Sequence, residues 1–259
     1  MTEGVWREAT TGFQFSPEKI VVTEELQKEK LRHCGLDSDV LHGHVDASFF
    51  ISIGIHVGVK HGISAEGNVN MLTGLTQYRP VRLGEVLIAH GMITDVQDVP
   101  RGQAIETDVW FEDVNGKRVV SAPRKSLRPD PEKADQRGAG ERPDPVIKDV
   151  KQLETVGTYS LTPEAVKAYS SDGNSIHYDM VSANKAGFRA PIIGGGMGVH
   201  YLVHTLWQQR LAEAFDMSIY FRRPIFWDDT FTVAVSPWKS VGLIREGKVL
   251  TEARLTLSK

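Results

Sequence analysis

Asp172-Gly173-Asn174-Ser175-Ile176-His177-Tyr178-Asp179, followed by Gly187-Phe188-Arg189-Ala190-Pro191-Ile192-Ile193-Gly194-Gly195-Gly196-Met197, is the stretch on which the reading of this chain turns. The first segment brings a carboxylate, an amide and an imidazole together, and a glycine run then opens an apolar segment of helix-compatible length. A carboxylate and an imidazole this close can hold and polarise one water between them. A helix opened by glycines offers unpaired backbone N–H groups and a positive dipole end, which suits a developing oxyanion. Alone, Asp172 reads as a turn residue, since Asp-Gly-Asn is turn chemistry. Coupled to Asn174, His177 and the glycine run, it reads as part of a site. The glycines could also serve close packing of helix on strand, and no P-loop lysine follows them.

Outward from this stretch, the chain repeats itself. Tyr78-Arg79-Pro80-Val81 in the first half matches Phe221-Arg222-Arg223-Pro224-Ile225 in the second, aligned on the prolines at an offset of 144 residues. The same offset sets the glycine-opened helix opposite Phe50 to Ser52, inside the apolar stretch Val45 to Lys60. Each half has a capped helix start, Thr23-Glu24-Glu25 with Gly35 as its stop, and Thr162-Pro163-Glu164. Strand patterns follow each central helix. Glu85 to Val96, Gln103 to Phe111 and Lys117 to Leu127 come in the first half, the last two joined at Asn115-Gly116, a hairpin signal. Phe231 to Val235 and Val249 to Leu257 come in the second, the latter with Val249, Thr251, Ala253 and Leu255 on one face and Glu252 and Arg254 opposite. Between the halves, residues 128–149 are proline-rich, charged and nearly free of apolar side chains, the composition of a surface linker. The expected organisation is a first repeat over 1–127, the linker, and a second repeat over 150–259. Consecutive strands after a helix make the class α+β rather than βαβ, and two copies joined edge to edge would hide an edge from each.

The quoted residues resemble the hydratase signature of the MaoC-like (R)-specific enoyl-CoA hydratases, which reads roughly S-G-D-x-N-P-[IL]-H-x-D, then A-x-x-x-G-F, then P-I-x-H-G-M. Here Ser170 to Asp179, Ala183 to Phe188 and Pro191 to Met197 carry it. Ser175 replaces the usual proline, and the last segment is one residue longer with no histidine, Gly195 standing there instead. The resemblance implies a double hotdog fold and a hydro-lyase that adds water across the 2,3 double bond of a 2-enoyl thioester, or removes it. By position it assigns Asp172 and His177 to the attacking water, Asn174 to the loop, and Gly196 to the anion hole. Gly195, Met197 and Phe188 are expected against the substrate. It implies a coenzyme A or acyl-carrier thioester as substrate, with no cofactor, and an inactive first repeat that accommodates the acyl chain. A hotdog thioesterase and a non-catalytic acyl-thioester-binding subunit are the alternatives.

Composition sets outer bounds. The chain has 259 residues, a net charge of −3 and one cysteine, Cys34. That gives no polyelectrolyte signal for nucleic acid and no internal disulfide or multi-cysteine zinc site. No apolar run approaches a membrane span and no signal peptide is visible, so the expectation is a cytoplasmic protein. Whether it acts as a monomer or a homodimer is left open. His200 and His204 sit on one helix face, but the glutamate of a zinc motif is missing, so core packing is the better reading. Arg79, Arg82, Arg189, Arg222, Arg223 and Lys185 serve equally as phosphate ligands or solvated charges. Asp37 and His42 repeat the Asp172–His177 spacing and are expected to be dispensable, because Phe49 to Ser52 stand where the glycines would be.

Overall fold

The computed structural model describes residues 6–133, 136, 143–171, 173–210, 213–236 and 239–257. The first half contains β1 (Gln14–Ile20), α1 (Glu24–His33), α2 (Phe49–Lys60), β2 (Val69–Gln77), β3 (Leu87–Val99), β4 (Gly102–Glu112), β5 (Arg118–Ser121) and β6 (Arg124–Pro129). The second half follows with β7 (Glu154–Ser160), α3 (Pro163–Ser170), α4 (Met180–Lys185), α5 (Gly195–Gln208), β8 (Phe215–Phe221), β9 (Thr230–Ser236), β10 (Ser240–Arg245) and β11 (Lys248–Leu257).

The local signals act as their chemistry requires. Thr23 and Thr162 accept from Leu26 N and Ala165 N, capping α1 and α3. α1 stops at Gly35, whose φ of +66° closes the helix as Leu36 N bonds back to Leu31 O. Asn115-Gly116 turns the β4–β5 hairpin, with Asp113 accepting from Asn115 N and Lys117 N. The single strand expected over Lys117 to Leu127 is broken at Pro123, which donates no ladder bond and packs its ring on Gly74.

All the strands join one antiparallel sheet in the order β1-β3-β4-β5-β2-β8-β11-β10-β9-β7, with β6 also pairing β2 and β4. The halves meet where β2 pairs β8, from Leu72↔Tyr220 to Gln77↔Phe215. The sheet wraps α2 and α5, which run antiparallel: Ser48 reaches His200, and Ser52 lies against Gly196. Phe50 packs on Phe111, and Tyr201 packs on Tyr159 and Phe231. Burying each such ring stabilises the fold by about 2–3 kcal/mol. This is a double hotdog fold.

β11 departs from simple alternation. A bulge between the pairs Leu243↔Thr251 and Ile244↔Val249 turns Leu250 inward and Val249 to the outer face beside Ile147, Ala234 and Ile244. Glu252, on that outer face, is nevertheless buried. It takes Arg222 at 2.6 Å and the N–H groups of Val146 and Ile147. The segment between the halves is therefore docked at that end, and β6 runs through Pro129. Residues 134, 135 and 137–142 of the expected linker lie outside the described residues. No helix among the described residues is long and apolar enough to cross a membrane.

Candidate active site

The site is assembled from the loop after α3, the start of α5 and the seam strands. Asn174 caps the turn that follows it, accepting from Ile176 N at 3.3 Å, and its amide nitrogen donates to Ala65 O. Ser175 donates to Glu66 at 2.7 Å. A first-half loop thus pins the second-half motif. Asp179 caps α4 through Ser182 N. Asp172 lies outside the described residues.

Among the described residues His177 is held by one bond, Nδ1 to Ile192 O at 2.8 Å. A carbonyl only accepts, so Nδ1 carries the hydrogen. Burial lowers the pKa of the ring, which therefore stays neutral and presents the Nε2 lone pair. That nitrogen lies beside the start of α5: a Cβ added to Gly194 would sit 3.4 Å from it. Gly194 is the N-cap and has no side chain to cap with. Among the described residues nothing accepts from the N–H groups of Gly195, Gly196 or Met197, and the first helical bond is Gly198 N to Gly194 O. Three unmatched donors at a positive helix end face the same region as a neutral imidazole.

A cavity of about 220 Å³ opens here, lined by His177, Phe188, Gly194, Gly195, Asn70 and Phe221 among others. It spans the β2–β8 seam, so both halves build it. The glycines divide between two faces of α5. Gly194, Gly195 and Gly198 line the cavity, while a Cβ on Gly196 would meet Ser52 Oγ at 2.5 Å. Gly196 is thus small because α2 packs on it. Met197, expected against the substrate, is fully buried and does not line the cavity, since its helix position turns it toward the core.

Sequence reading missed Asn70 and Phe221, which approach within 3.0 Å of a Cβ built on Gly195. It also missed a buried chain behind Gly196. Asp46 accepts from Ser48 Oγ at 2.6 Å and from His200 Nδ1 at 3.0 Å, and His200 Nε2 meets Tyr169 OH at 2.8 Å. With Nδ1–H directed at the carboxylate, Nε2 accepts from the phenol. An aspartate inside the apolar run Val45 to Ile51 was the available signal. His204 Nε2 meets Asp37 O at 3.1 Å. No metal-binding cluster is found among the described residues. Arg79 pairs with Glu85, Arg189 with Asp228, and Arg222 with Glu252, so these cations have protein partners. Asp37 caps the turn at Ser38 to Leu41, and His42 stacks edge-on against Trp207, near the far end of α5 from the glycine run.

No protein-family model matches the sequence, and no curated protein matches it. Solved structures do. HtdX of Mycobacterium tuberculosis aligns with a TM-score of 0.73 at 14% identity, over 94% of this chain and 100% of that one. A MaoC-like dehydratase from Phytophthora capsici aligns with a TM-score of 0.69 at 17% identity, over 96% and 98%. A protein of Lactobacillus plantarum described as an oleoyl thioesterase aligns with a TM-score of 0.60 at 13% identity, over 95% and 97%. The chain is similar to all three in fold, and that fold hosts more than one chemistry.

Proposed function

We propose that this protein is a hydratase or dehydratase acting on a 2-enoyl or 3-hydroxyacyl thioester of coenzyme A or of a carrier protein. The observation that carries this reading is the pairing at the start of α5: three N–H donors unmatched among the described residues, and the Nε2 of a neutral His177, likewise unmatched among them, beside Gly194. A thioester carbonyl at the helix start is polarised by those donors, which makes the β carbon electrophilic. Gly195, on the cavity wall, is the nearer anion-hole donor, and Gly196 the next. His177 Nε2 orients the attacking water. Asp172 takes its proton as the carbon–oxygen bond forms, and the α carbon is protonated in turn. One water acting on one face gives syn addition, and for a simple chain the expected product is the (R)-3-hydroxyacyl thioester.

Incubation with crotonyl-CoA and with branched, aryl and carboxylated enoyl-CoAs, followed by chiral analysis of the product, tests the reading. A 3-hydroxyacyl thioester supports it. Free thiol without hydration would make the protein a thioesterase, and binding without turnover would make it a thioester-binding subunit.

A further inference from the structure

The inner face of a sheet that wraps a helix is ordinarily apolar, but one stripe of the first half is not. Thr73 on β2 and Thr107 on β4 both pair in register with Arg124 on β6, so the three side chains share a face. That face is the inner one, because Val109, two residues along β4 from Thr107, packs on Gly54 of α2. Ser126, two residues along β6, continues the stripe and pairs with Asn70, a wall residue of the cavity. Asn70 Oδ1, Thr73 Oγ1 and Ser126 Oγ are buried and have no hydrogen-bond partner among the described residues.

Arg124 has no partner among the described residues either: neither a carboxylate nor a carbonyl there answers its guanidinium, in contrast to Arg79, Arg189 and Arg222. Enclosure alone lowers its pKa to about 10, which leaves it charged at neutral pH. The residue is partly accessible to solvent rather than sealed in solid packing. An enclosed, unpaired guanidinium is costly to keep unless something anionic meets it. Arg124 is not itself among the residues lining the 220 Å³ cavity; Asn70 and Ser126 lie between. The path from Asn70 across one strand and along one two-residue step is roughly 10–12 Å between Cα atoms, and the long arginine stem shortens it.

We infer that Arg124, with the hydroxyls of Thr73 and Ser126, forms a subsite for a carboxylate at the far end of the acyl group, so that the substrate is the thioester of a short dicarboxylic acid. This rests on the thioester reading above and narrows it. The thioester end meets the start of α5 in the second half, and the free carboxylate meets β6 in the first. The first repeat then selects the substrate as well as accommodating it.

Binding of two saturated, unreactive thioesters tests the inference without depending on turnover. By calorimetry, succinyl-CoA should bind the wild-type protein about 10–100-fold more tightly than butyryl-CoA, the range expected of one charge-assisted contact. R124M and R124Q should abolish that preference and leave butyryl-CoA affinity within about 2-fold. Because the guanidinium has no partner to lose, R124M should melt at the wild-type temperature or above it. Equal wild-type affinity for the two thioesters, a preference that survives R124M, or a large fall in melting temperature would each overturn the subsite. Hydration of crotonyl-CoA, measured in parallel, separates the two readings. Hydration without a carboxylate preference sinks the subsite alone, and a carboxylate preference without hydration of any enoyl thioester sinks the reaction alone.

Discussion

The starts of α2 and α5 are counterparts in the two repeats and have been put to opposite uses. α2 opens with Ser48-Phe49-Phe50-Ile51, all buried, and its first N–H groups are matched: Phe49, Phe50 and Ile51 donate to Asp46 O, Ala47 O and Ser48 O. α5 opens with two glycines after its N-cap Gly194, a cavity against its wall, and donors unmatched among the described residues. The same helix end is a sealed structural joint in one repeat and an open cavity wall, the proposed reactive surface, in the other. The dipole is common to both, so the dipole does not make the site. Small residues, space and unanswered donors do.

The contrast can be broken most forcefully at His177 and Asp172. His177→Ala and Asp172→Asn should each lower turnover by about 10²–10⁴-fold with the fold intact by circular dichroism. Near-normal turnover in either variant on the best substrate would remove the chemistry from this loop. Next in size, Asp46→Ala should hurt stability at the sealed end. It orphans the N–H and hydroxyl of Ser48 and leaves His200 Nδ1 with Ser48 Oγ alone; at about 1–3 kcal/mol for each buried donor lost, a loss of roughly 3 kcal/mol or more is expected in denaturant melts. A loss below about 1 kcal/mol would show that the chain is not the joint described.

Gly196→Ala should cost about 1–3 kcal/mol by overpacking on Ser52, and Ser52→Gly should restore most of it. Failure of that rescue would place the strain elsewhere. Smaller still, Asp37→Ala combined with His42→Ala should change turnover less than about 2-fold while costing about 1 kcal/mol through the lost cap. A double variant as inactive as Asp172→Asn would mean two working sites. The smallest effect is a pH dependence. His177 is neutral in the fold with a pKa below its ordinary 6.5. Its neutral form therefore supports stability fully above about pH 6.5, and that support is lost as pH falls through the folded value. His177→Gln should flatten this part of the melting curve between pH 7 and 5, and an unchanged slope would argue against burial of the ring.

Much of this was legible because the signals are local. Thr23, Thr162, Gly35 and Asn115-Gly116 each act on backbone a few residues away, and each acts as its chemistry suggests. The spacing singled out His177 and Asn174, and the structure sets His177 on the cavity wall and Asn174 in the loop beside it. The seam was harder. β2 reads poorly as a strand, since Thr73 stands on its inner face and Gly74 makes room for Pro123. β8 alternates cleanly, with Phe215, Met217 and Ile219 buried, but alternation does not say which strand it will pair. Met197 was not legible as a core residue, because the motif alone does not say which face of the first turn it occupies. Asn70 and Phe221 reach the cavity, and Arg124 the proposed subsite, only through pairings of long sequence separation, which no local pattern encodes.

The contact between Ser52 and Gly196 also bears on how such proteins can be recombined. A chimera that took its first repeat from one homologue and its second from another would inherit both halves of that contact from different histories. A donor with any bulkier side chain at the position of Ser52 would press on the first turn of α5 and tilt the N–H donors proposed to meet the thioester. The halves are copies in architecture, but at this point they are not interchangeable parts. Residues 52 and 196 would have to be exchanged together, and a library that shuffled the repeats freely would be enriched for survivors that kept the pair.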